Sequence, residues 1–217
     1  MATQVDHIKH IQGLPFQVTV DGFAFVSSRP SLLGRHICIL THFHSDHTTG
    51  LYKSFQGEIL CTQITADLIV NIIGIDSRYV RTLELRRTYN FDGLEITAID
   101  AFHCPGAAIF LLKNTFTGKE RESKHSLPSF PLCHNQLGYT VLHTGDFRAA
   151  LHLQADEFLL TQRIDTIYLD TTYCAPKYVF AEQSEVLNMV EEITKRELEE
   201  EPTTCFVVGT YQIGKEK

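Results

Sequence analysis

Four residues of types that bind metal ions fall within six positions, in His42-x-His44-x-Asp46-His47. A neutral imidazole nitrogen is the commonest protein ligand for borderline divalent ions, and a carboxylate adds charge and can bridge two of them. On an extended stretch residues i and i+2 point the same way, so His42 and His44 address one ion. Asp46 and His47, further along, face a second. Two ions need more donors than one loop supplies. His103 follows the apolar run ending Ala98-Ile99-Asp100 and is backed by Cys104-Pro105-Gly106, a composition that forces a sharp turn. Asp146 follows the run Tyr139 to His143, and Asp170 ends Tyr168-Leu169-Asp170. One Asp at a strand end is an ordinary cap or turn residue. Its recurrence at the ends of successive strands assigns these residues to one site, where a pair of ions would activate water and clamp the attacking and leaving oxygens of an in-line displacement at phosphorus.

The elements that deliver these residues are readable from periodicity. Ile37 to Leu40 is a short buried strand that stops at the histidine loop. Leu94 to Ile99, Ala107 to Leu112, Tyr139 to His143 and Ile164 to Asp170 read as further strands. Phe16, Val18 and Val20 alternate before Asp21-Gly22, then Phe23 and Phe25, which predicts a hairpin with a two-residue turn. Ile64, Leu68, Ile69, Ile72 and Ile73 have helical spacing with Gly74 as the C′ residue. Ser184 to Glu201 predicts a long amphipathic helix ended by Pro202, followed by a strand over Cys205 to Val208 and a turn entering a helix at Gly209. Strands come in runs before helices, a mixed α/β layout without Rossmann order. Asn114 to Leu137 has no period and reads as a solvated insertion, with Lys119, Arg121 and Lys124 its only hint of a polyanion contact.

Composition restricts the class. With 43% apolar and 21% charged residues, the 217-residue chain is neither collagen-like nor disordered. No apolar run reaches the roughly 18 residues of a membrane span, and Met1 to Phe16 lacks a secretory h-region, which points to an intracellular protein without a membrane partner. The six cysteines include no Cys-x-x-Cys pair, so the expectation is buried free thiols. The net charge of −7 argues only superficially against nucleic acid. Glu182 to Glu201 holds eight acids and two bases, a net of −6, leaving −1 for the rest. Of the remaining histidines, His143 reads as structural.

The pieces THFHSDH (41–47), HCPG (103–106), LHTGDFR (142–148), YLDTTYC (168–174) and GTYQIGKEK (209–217) together resemble the metallo-β-lactamase superfamily. Within it they resemble the β-CASP branch and its DNA cross-link repair nucleases, relatives of Artemis and Apollo. The first piece alone marks only the superfamily; HCPG, TGDFR and LDTTY are more specific. The resemblance implies an αββα sandwich, its N-terminal part occupying 1–176 with the insertion at 114–137, and the beginning of a β-CASP domain at 177–217. It implies that His42, His44 and His103 hold one ion, Asp146 bridges, and Asp46 and His47 hold the second, zinc being the expected metal. Asp170 would orient a ligand histidine from the site edge, and Asp46, His47, Asp146 and Asp170 would form the catalytic set. Thr210 and Lys215 would seat a phosphate at a helix start; Gln212 stands where relatives often carry Ser.

The implied activity is 5′→3′ exonuclease cleavage of DNA with a 5′-phosphorylated end, in the nucleus, with repair proteins as partners. Alternatives are an RNA-processing nuclease, a thioesterase- or lactonase-type hydrolase, and a non-catalytic scaffold. Members of the family continue past Lys217 and return with one more histidine for the second ion. The expectation is therefore a piece of a longer protein, holding the second ion poorly and with little or no nuclease activity by itself.

Overall fold

The computed structural model describes residues 8–26, 35–117, 137–209 and 213–214. Two sheets carry the fold. In the first, β1 (Gln17–Val20), β2 (His36–Ile39), β3 (Glu58–Cys61) and β4 (Val80–Thr82) lie in chain order, all parallel. In the second, β5 (Thr88–Phe91), β6 (Leu94–Asp100), β7 (Ala108–Asn114) and β8 (Thr140–His143) form an antiparallel meander, and β9 (Thr166–Tyr168) joins β8 in parallel.

Side-chain alternation explains why the sheets stack. Val18, Val20, Ile37, Ile39 and Leu60 of the first sheet meet Leu94, Ile96, Ala98, Phe110, Leu112 and Val141 of the second in one buried cluster. The intervening residues face outward and are covered too. Cys38, Ile59 and Cys61 pack on α1 (Gln63–Leu68), which runs on as a π-helical turn, Ile69–Ile73. Ile99, Ile109, Leu111 and Leu142 pack beneath α2 (Leu151–Gln154) and α3 (Glu157–Leu160), which supply Leu153, Phe158 and Leu159. The layers run helix, sheet, sheet, helix, as the sequence led us to expect. Sheets covered on both faces account for strands apolar at nearly every position, such as Ala98 to Ile99 and Ala108 to Leu112.

Four sequence expectations need correction. Phe16 to Phe25 is not a hairpin: β1 pairs in parallel with β2, and Phe23–Phe25 is a 3-10 turn. Parallel pairing preserves the alternation that suggested a hairpin, so periodicity alone misled. Strand β9 is shorter than Ile164 to Asp170, because its outer edge has no further partner among the described residues. Cys205 to Val208 is not a strand, and Phe206, Val207 and Val208 are exposed. Asn114 belongs to β7 and is buried, its side-chain amide donating to the Gly13 carbonyl at 3.4 Å; the rest of the proposed insertion, with Lys119, Arg121 and Lys124, lies outside the described residues apart from its two ends.

The chain divides into two units, Met1–Asp170 with Gln212–Lys217, and Thr171–Tyr211. The second contains α4 (Gln183–Glu200), whose Val186, Leu187, Val190 and Ile193 are exposed. No helix among the described residues is long and apolar enough to cross a membrane.

Candidate metal centre

Strand direction brings the chemistry to one edge. β1 runs parallel to β2, β6 and β8 both run antiparallel to β7, and β9 runs parallel to β8. The Ala108 N–H at the head of β7 donates to the Thr41 carbonyl at 3.1 Å, which joins the end of β2 to the edge where β6 and β8 finish. The residues after β1, β2, β6, β8 and β9 therefore share a rim. Beyond Leu40 the chain turns back, with the His47 and Thr48 N–H groups donating to the His44 carbonyl at 3.1 and 3.0 Å. This turn is what brings Asp46 and His47 beside His42.

Two other turns are built for close approach. Phe102, immediately before His103, has φ +54°, and its N–H donates to Asp100 Oδ1 at 2.8 Å. The Gly106 carbonyl accepts from Thr62 Oγ1 at 2.6 Å and Thr65 Oγ1 at 3.1 Å, pinning the far end of that turn to α1. Gly145 has φ +53°, and a Cβ there would stand 2.9 Å from the Thr41 side chain. Only glycine lets the chain pass so near Thr41 and deliver Asp146.

The donor atoms converge. His42 Nε2 lies 2.9 Å from His44 Nδ1, and His103 Nε2 lies 3.2 Å from the same atom. Asp146 Oδ2 stands 3.9 Å from His42 Nε2 and 3.6 Å from His103 Nε2. On its other side, Asp146 Oδ1 is 3.3 Å from His47 Nε2, and Asp46 Oδ2 is 3.5 Å from that nitrogen. Ligand atoms at 2.0–2.2 Å from one ion in tetrahedral arrangement lie roughly 3.3–3.6 Å apart. The donor atoms form two groups, His42, His44, His103 and Cys104 in one and His42, His47 and Asp146 in the other, each close enough together to hold a metal ion. The cluster is therefore suited to divalent metal binding.

Hydrogen bonds set the ring tautomers. Asp21 is buried and accepts from the Thr41 N–H at 2.8 Å, Thr41 Oγ1–H at 2.7 Å and His47 Nδ1–H at 2.7 Å. The Thr41 hydroxyl, having given its proton to Asp21, accepts from His42 Nδ1–H at 3.0 Å. Each ring thus presents Nε2 to the cluster, as outer-shell partners of metal-bound histidines do. Asp21 is thus a carboxylate that orients a ligand-type histidine, a role the sequence reading did not give it. The alternation ending in Asp21-Gly22 had made it look like a turn residue. Asp170 lies at the same rim and donates its backbone N–H to Thr144 Oγ1 at 2.9 Å.

Burial, together with the positive charge of His47, depresses His42 to about 3. For His47 burial opposes the charge, but Asp146 and Asp21 outweigh it and raise the ring to about 10. Hydrogen bonding to His47 in turn holds Asp146 at about 2. His143, stacked on Tyr168 and accepting the Gly145 N–H at 3.1 Å, is pushed down to about 4 by burial. Because its folded value lies below the ordinary 6.5, the native state excludes a proton that the unfolded chain takes up. Its contribution is complete above pH 6.5 and disappears as pH falls towards 4. In metal-free protein we expect urea unfolding to show a loss of about 3 kcal/mol between pH 7 and 4 from this residue. A His143→Asn variant with the same acid limb as the parent would contradict that.

The remaining sequence expectations divide. Thr210 and Lys215 lie outside the described residues. Cys38 and Cys61 are buried thiols as expected, raised to about 11 and about 12 by burial, whereas Cys174 and Cys205 are exposed. Cys104 is half-buried, and its sulfur lies within 4.8 Å of the donor nitrogens of His42, His44 and His103.

No family model matches the chain. It is 38% identical over 211 residues to the DNA cross-link repair protein SNM1 of Arabidopsis thaliana, covering 96% of the chain and 38% of that protein. It is 36% identical over 214 residues to the DNA cross-link repair 1A protein of Gallus gallus, covering 99% and 19%. It is also 30% identical over 185 residues to the 5′ exonuclease Apollo of Gallus gallus, covering 85% and 35%. The chain thus spans less than two fifths of each of these relatives. Among solved structures, a metallo-β-lactamase from Cronobacter sakazakii aligns with TM-score 0.42 at 10% identity, over 88% of this chain and 87% of that one. On the sequence similarity, which runs through nearly the whole chain, this protein is a homologue of the SNM1-type DNA cross-link repair proteins.

Proposed function

We propose that the chain carries the metal-binding half of a metal-dependent DNA nuclease that trims 5′-phosphorylated ends, acting as a 5′→3′ exonuclease in nuclear cross-link repair. On this reading residues 1–176 are the metallo-β-lactamase portion and 177–217 open a β-CASP domain. The observation that carries it is the placement of Asp146, whose Oδ2 faces His42 and His103 and whose Oδ1 faces His47. Zinc is the ion we assign, from the nitrogen-rich donor set. His42, His44, His103 and Asp146 Oδ2 would hold one ion, and Asp46, His47 and Asp146 Oδ1 the other. Bound there, the ions supply Lewis-acid charge opposite the phosphate and a water of lowered pKa.

The protein's own groups do the rest. Asp21 holds the Nδ1 proton of His47, and the Thr41 hydroxyl holds that of His42, so both Nε2 lone pairs stay directed at the cluster. His47 must lose the proton its carboxylate neighbours favour before it can ligate, so loading releases protons and tightens as pH rises. Asp170 completes the catalytic set at the rim, and Thr210 and Lys215 seat the terminal phosphate.

The test is the complete protein on matched 5′-phosphorylated DNA and RNA oligonucleotides, with metal content measured in parallel. We expect release of mononucleotides from DNA, lost with chelator and regained with zinc. Cleavage of RNA in preference to DNA, or turnover of a thioester with none of either nucleic acid, would overturn the DNA reading.

A further inference from the structure

His44 has a second polar contact that comes from far along the chain. Its Nε2 lies 3.2 Å from the Ile213 carbonyl oxygen, 169 positions away. A carbonyl only accepts, so the ring must carry its proton on Nε2. That leaves the lone pair on Nδ1, the atom that lies 2.9 Å from His42 Nε2 and 3.2 Å from His103 Nε2. His44 therefore presents the opposite nitrogen from His42 and His47, and the backbone carbonyl beside Gly214 favours this choice.

Gly214 explains how that carbonyl comes so near. Its φ is +97°, and a Cβ on it would stand 2.6 Å from Cys104 Cβ, 3.1 Å from Cys104 Cα and 3.3 Å from Pro105 Cδ. Cys104 and Pro105 form the turn that carries His103. The Ile213-Gly214 pair thus touches two ligand-bearing segments at once, one through a hydrogen bond and the other through contact that only a missing side chain permits.

We infer that Ile213, through its backbone carbonyl, and Gly214, through its lack of a side chain, are positioning residues of the metal centre: they fix the His44 tautomer and so make metal loading depend on the docking of the 213–214 turn. This rests on the metal-centre reading above. It extends that reading by joining the 213–214 turn to the first ion.

Two measurements test it on the full chain. In zinc-loaded protein at pH 8, nitrogen-15 NMR of the imidazoles should find His44 protonated on Nε2 and ligating through Nδ1. Competition between protein and a chelator for cobalt and zinc should then show Gly214→Ala weakening the first ion by about 10-fold or more, the usual cost of losing an outer-shell partner. A parent protein that binds no metal at this cluster defeats the metal-centre reading itself. A parent that binds normally, with Gly214→Ala within 2-fold of it or with His44 protonated on Nδ1, leaves that reading intact and overturns this inference. Should Gly214→Ala fail to fold, the tautomer decides alone.

Discussion

Replacing Asp146 by Asn is expected to abolish DNA cleavage by the complete protein, by about 10³-fold or more in kcat, while the fold survives. The size of the effect follows from geometry. Asp146 reaches both sides of the cluster, 3.3 Å from His47 Nε2 on one oxygen and 3.6 Å from His103 Nε2 on the other. An amide keeps the shape but offers a single neutral oxygen, so one set loses its donor and the pair loses a negative charge between two cations. The fold should tolerate the change because the side chain is about one third exposed and packs in none of the three apolar clusters. Metal content separates the causes: we expect fewer ions per chain with unchanged circular dichroism. A variant that keeps both full cleavage and full metal content would remove Asp146 from the bridging position.

Asp21→Asn should act on stability and metal together. The carboxylate is buried and accepts three hydrogen bonds, from Thr41 N–H, Thr41 Oγ1–H and His47 Nδ1–H. An amide can serve at most part of that set, since its nitrogen turns a donor towards donors. Breaking one partner of a buried charged pair costs about 3 kcal/mol, which would lower the urea midpoint markedly. The released His47 ring no longer has its tautomer set, so affinity for the second ion should fall by about 10- to 100-fold. His47 should also titrate well below the value of about 10 that Asp21 and Asp146 now sustain. Unchanged His47 titration in a folded variant would show that Asp21 is only a packing residue.

What could be read from the sequence follows from how local each signal is. His42, His44, Asp46 and His47 lie in one loop, and His103 and Asp146 follow strands long enough to show their pattern, so their convergence was foreseeable. Asp21 was not, because its role is written 20 and 26 positions away, in Thr41 and His47. Parallel pairing of β1 with β2 likewise leaves no turn signature, and the Asp21-Gly22 dipeptide supplied a false one. Strands β3, β4 and β5 also went unread; β4 (Val80–Thr82) and β5 (Thr88–Phe91) are largely polar and partly exposed, so no apolar run marks them. The predicted strand at Cys205 to Val208 shows the opposite error, an apolar run with strand propensity but no neighbouring strand among the described residues. The contact between Ile213 and His44 is backbone-mediated and leaves no trace in residue type except the glycine that follows.

The most direct test of the metal centre is anomalous X-ray scattering at the zinc edge from crystals of the protein grown with zinc. The account predicts a peak enclosed by His42 Nε2, His44 Nδ1, His103 Nε2 and Asp146 Oδ2, and a second among Asp46, His47 and Asp146 Oδ1. Well-ordered crystals with zinc bound elsewhere and no peak within this cluster would contradict it.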